Sequence, residues 1–166
     1  MSSGFKSTES KKTKPQRLGL CVLFIIEILL LAMPYIAMYD DSGVYHSKTI
    51  LELILGMNTA DMKWVKLGLI AIIFALIPIV GFLFASFDKD SCVKSVVGCI
   101  CAFLGIFAIT FVIVPQFSGV LAFGAMLAII IYLFIFAISV SLALKTIAVR
   151  ALKRKEEQEA KEHNEA

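Results

Sequence analysis

Glu27 is the one residue of a charged type in the apolar run from Leu18 to Tyr39. It lies about ten residues into that run, near the centre of a bilayer if the run spans one. A carboxylate at that depth costs roughly 2.5–3.5 kcal/mol on insertion scales. Such a group faces a protein interior or carries a proton. The chemistry it offers is proton or cation binding. No Lys, Arg or His lies at membrane depth to pair with it, and the polar candidates are Thr110, Tyr132, Ser139 and Ser141. The bland counterpart is a neutral Glu that hydrogen-bonds a neighbouring helix and acts as structural glue.

The remaining reactive residues form no recognisable site. Cys21, Cys99 and Cys101 fall in apolar runs and Cys92 in a short charged loop. Cys99 and Cys101 are two apart and point to different helix faces, which makes a poor metal pincer. They read as packing residues. His46 and His163 lie outside the apolar runs. Asp40, Asp41, His46, Glu52 and Asp61 are acidic or basic loop residues of the kind that is usually solvated. No nucleotide loop, Ser/His/Asp set or zinc motif occurs. The expectation is no catalysis, no cofactor and no metal.

The elements that would position these residues follow from the charge pattern. The chain has 166 residues, 59% hydrophobic and 17% charged, with a mean hydropathy of +0.88. A soluble domain is nearer half apolar and a quarter charged. The net charge of +3 gives no reason to expect nucleic acid. From Leu67 to Phe87, and again from Ser95 to Leu144, no residue is charged. The second run is too long for one crossing, and Pro115-Gln116-Phe117-Ser118-Gly119 breaks it. Four spans are predicted, about 18–39, 67–87, 95–114 and 120–144. The fold class expected is an all-α four-helix bundle integral to a membrane.

Orientation is read from Lys and Arg. The tails and the loop 88–94 hold thirteen of them, and the loop 40–66 holds three. Both termini are therefore predicted to be cytoplasmic. Residues 1–17 read as a disordered basic tail, 18–144 as the membrane domain and 145–166 as a charged helical tail. In the outer loop 40–66, Asp40 to Gly43 signals a turn, and Ser47 to Met57 reads as a short amphipathic helix. Thr49 and Glu52 have capping-box spacing, and Gly56 suits the helix end. Ile50, Leu51, Ile54 and Leu55, with Trp64 at the entry to the second span, are the candidate partner-binding surface.

The pattern resembles a class of bacterial four-span membrane proteins. The first span ends in a Pro-aromatic step, here Pro34-Tyr35. A short outer helix follows, here Thr49 to Met57, and a Gly- and Ala-containing fourth span, here Gly119 to Ala128. The topology is also similar to that of claudins and tetraspanins, without their outer-loop Trp and Cys signatures. The resemblance implies an architecture in a bacterial cytoplasmic membrane and no activity. The leading functional expectation is a non-enzymatic accessory, assembly or immunity-type subunit that binds a membrane partner or a second copy of itself. The alternative is a small proton- or cation-coupled transporter or channel, acting as an oligomer through Glu27.

Overall fold

The computed structural model describes residues 3–39, 45–56, 62–87, 91–116 and 120–165. Helix α1 runs Ser3–Leu30, with Pro15 inside it. It starts within the segment that composition reads as unstructured. The chain then tightens through three short backbone bonds, Leu31 to Ile28, Ala32 to Leu29 and Met33 to Leu30. Each spans one residue fewer than an α-helical bond, as at many helix ends. Pro34 has no N–H to continue the helix, and its ring disfavours helical geometry at Met33.

An extended strand β1, Pro34–Tyr39, follows instead. The predicted helix over 18–39 is therefore corrected: it stops at Leu30, and the fold, though mostly helical, also carries a small three-stranded sheet. Strand β2 is Tyr45–Thr49 and strand β3 is Val120–Leu121. They pair antiparallel on either side of β1, in the order β2-β1-β3. The register of β1 against β2 shifts between Pro34 and Ile36. That leaves Tyr35 as the extra residue of a bulge, a device that re-aims a side chain.

Helix α2, Ile50–Leu55, is shorter than the 47–57 expected because Ser47 and Lys48 belong to β2. Its capping box is formed. Thr49 N–H donates to Glu52 Oε2 at 2.9 Å, and Glu52 N–H donates to Thr49 Oγ1 at 3.0 Å. Ile50 and Leu53 are buried, and α2 packs against α3, Met62–Phe87. The Asp40–Gly43 turn, Met57 and Asp61 lie outside the described residues.

Helix α4 is Ser91–Phe107 and opens into a π-helical stretch, Ala108–Ile113. A short α5, Val114–Gln116, precedes β3. Helix α6 then runs Phe123–Glu165, so the charged C-terminal segment continues the last apolar helix. Among the described residues, three helical segments are long and apolar enough to cross a membrane: Val65–Phe87, Cys92–Ile113 and Phe123–Leu152. Large apolar side chains point outward along them, among them Ile73 and Phe103, each about two-thirds exposed. That surface suits hydrocarbon better than water.

Helix α1 packs against α3 and α6, and α4 packs against the same two. The α4–α6 contact is the most extensive. It is set by glycines two turns apart on α4. Gly98 lies against the Ser139 hydroxyl and Gly105 against the Tyr132 ring, leaving no room for a Cβ at either position. Close approach through small residues is how helices associate where water is absent. Lys94 is buried at the start of α4, and its Nζ donates to the Ala85 carbonyl near the end of α3. A cation there satisfies a helix C-terminus.

Candidate functional site

Leu20, Phe24, Glu27 and Leu31 recur at helical spacing and are all buried. They form the inward stripe of α1 and the residues just after it. Glu27 occupies a place in that stripe where a hydrophobe would be expected. It is fully buried, and neither carboxylate oxygen has a hydrogen-bond partner. A buried polar group left unsatisfied costs about 1–3 kcal/mol, and more if it is charged.

Tyr35 reaches the same region from the bulge. Its carbonyl accepts from Ala122 N–H at 3.2 Å, which fixes the backbone to the residue after β3. Its side chain turns inward and is fully buried. The ring meets Phe74 of α3 edge-on, with centroids 5.6 Å apart and planes at 70°. Its hydroxyl has no partner. Tyr132 enters from α6, pressed against Gly105, with its hydroxyl also buried and unpartnered. Glu27, Tyr35 and Tyr132 lie within electrostatic reach of one another, and Cys101 within reach of Tyr132.

Of the four residues that sequence singled out with Glu27's chemistry in mind, the fold brings Glu27 and Tyr132 together. Ser139 is buried and its hydroxyl is unpartnered. It sits two turns along α6 from Tyr132, about 10 Å by helix rise, and belongs to another layer. Thr110 faces outward, and its hydroxyl donates back to the Ile106 carbonyl at 2.8 Å. Ser141 accepts from Gln16 Nε2. Tyr35 was missed as a site residue, because nothing in its local sequence marks it beyond following Pro34.

On α2, Ile50 is buried and Ile54 half-buried, while Leu51 and Leu55 are exposed. Trp64 falls in the first turn of α3. The candidate partner surface is thus split, with one part already spent on the helix's own docking.

Pro78, buried inside α3, removes the N–H that would have engaged the Phe74 carbonyl. The region therefore gathers a carboxyl group, two phenols and an interrupted helix ladder. Such a set of oxygens can hold and pass on a proton or surround a small cation. Among the described residues, no three His, Cys, Asp or Glu side chains gather as a metal set. No family model matches this chain, and neither a curated protein nor a solved structure matches it.

Proposed function

We propose that this chain is a small, non-enzymatic multi-pass membrane protein that takes up a proton or small cation at Glu27, acting as an oligomeric transporter or channel. The observation that carries the reading is the buried set of unpartnered oxygens on Glu27, Tyr35 and Tyr132. An ionisable group buried within apolar helices marks an ion or proton pathway by default. Glue would show a hydrogen bond to the neighbouring helix.

In this reading the chain crosses the plasma membrane four times with both termini cytoplasmic. The three long apolar helices supply three crossings. The apolar part of α1 rises about 20 Å by helix geometry, and β1 continues outward at about 3.3 Å per residue. Strand β1 is paired on both sides, which is what a strand needs near hydrocarbon. The basic tails set the orientation.

The test is reconstitution of the purified chain in proteoliposomes under imposed proton, Na⁺ or K⁺ gradients, read with a pH-sensitive dye. Glu27→Gln abolishes gradient-driven proton movement and leaves the protein monodisperse. Equal flux through that variant defeats the reading.

A second reading is carried by Leu51 and Leu55, which stand exposed on α2. They suit an accessory or immunity-type role in which the outer helix docks on a membrane partner. Changing both to Asp removes partner capture in a pull-down. Unchanged capture removes α2 from consideration.

A further inference from the structure

Helices α1 and α6 meet antiparallel. Gln16 Nε2 donates to Ser141 Oγ at 3.3 Å, and Gly19 faces Ile138. Because Gly19 has no side chain, a groove of about 430 Å³ opens on the outside of the pair, away from Glu27. Its walls are Leu18, Gly19, Val22, Leu23, Phe134 and Ile138, with Pro15 at one end. Nothing in the lining can recognise a polar solute.

The polar end of the groove differs from the rest. On α6 the spacing of Phe134, Ile138 and Ser141 leads to Lys145, which is exposed. A basic side chain therefore continues the groove at that end.

We propose that this groove binds one anionic phospholipid, with an acyl chain along Val22 and Phe134 and the phosphate beside Lys145. The apolar walls match a hydrocarbon chain, and the basic end matches the headgroup charge. The proposal shares with the functional reading only the membrane location, and its test needs no transport.

The experiment is native mass spectrometry of the full chain in a neutral detergent, titrated with phosphatidylglycerol or with phosphatidylcholine of the same chains. One phosphatidylglycerol per chain is expected, held at least five-fold more tightly than phosphatidylcholine. Lys145→Gln lowers that preference about five-fold, the weight of one basic residue at a membrane surface. Gly19→Leu fills the groove and removes both lipids. Val22→Phe, at an exposed position, does the same and serves if Gly19→Leu fails to fold. Equal binding of the two lipids, or full retention by the groove-filling variants that fold, overturns the proposal. Displacement by soluble glycerol phosphate also overturns it, by showing a bare phosphate site. A change of oligomeric mass in Val22→Phe with lipid binding intact overturns it in favour of a second copy of the chain.

Discussion

Gly105 of α4 lies flat against the ring of Tyr132 on α6, with no space for even a methyl group between them. The contact fixes the distance between the two helices with the most extensive packing and holds the Tyr132 hydroxyl at the level of Glu27. Its fit can be tested directly. Gly105→Ala should cost about 1–3 kcal/mol through overpacking. Tyr132→Leu should recover part of that loss in the double variant, since residues in contact are not additive. Thermal unfolding in detergent measures both, and additive losses would show that the ring is not the obstacle.

Glu27 should trade stability for function. Glu27→Met keeps the volume and removes two unpartnered oxygens. The expected gain is about 1–3 kcal/mol, or a few degrees in Tm at about 2–4 °C per kcal/mol for a chain of this size. Gradient-driven flux should vanish in the same variant. A drop in Tm would instead mark Glu27 as structural glue.

The capping box makes a local prediction. Thr49→Ala removes the acceptor for Glu52 N–H and should cost about 0.5–2 kcal/mol. Hydrogen exchange should rise in α2, Ile50–Leu55, and stay unchanged in α6. A uniform rise across the chain would mean that α2 does not unfold as its own unit.

The pairing of Ala37 with Val120 can be trapped. A double variant, Ala37→Cys with Val120→Cys, should form a disulfide under mild oxidant, because cross-strand partners lie within disulfide reach. Proteolysis between the two positions followed by non-reducing electrophoresis reads the link. If transport opens this end of the molecule, the oxidised form loses flux and a reductant restores it. No cross-link under any gradient would place the two strands apart in the membrane.

Much of this architecture is legible in the sequence for one reason, that charge is scarce. The uncharged runs give α3, α4 and α6, and the spacing of Thr49 and Glu52 gives the start of α2. Glu27 stands out for the same reason. The end of α1 is not legible. Pro34 to Tyr39 is apolar throughout, and a short apolar run reads equally as helix or strand. What decides it is pairing with Val120 and Leu121, far along the chain. The bulge that turns Tyr35 inward comes from the same pairing and leaves no local mark. Thr110 and Tyr132 are both polar residues in apolar helices. Which one faces inward depends on the neighbours: Tyr132 meets a glycine, while Thr110 sits on the outer side of the π-helical stretch.

The sheet has one more consequence. It pairs Ile36 and Ala37 with Leu121 and Val120, so both strands stand on the same side of any membrane. Traversals between them must come in pairs. In the proposed four-crossing reading, helices α3 and α4 are such a pair, and a chain in which only one of them inserted would strand β1 and β3 on opposite faces with their ladder unmade. In that reading the two-residue strand β3 is a parity check on biogenesis: it cannot close while one intervening helix has crossed and the other has not.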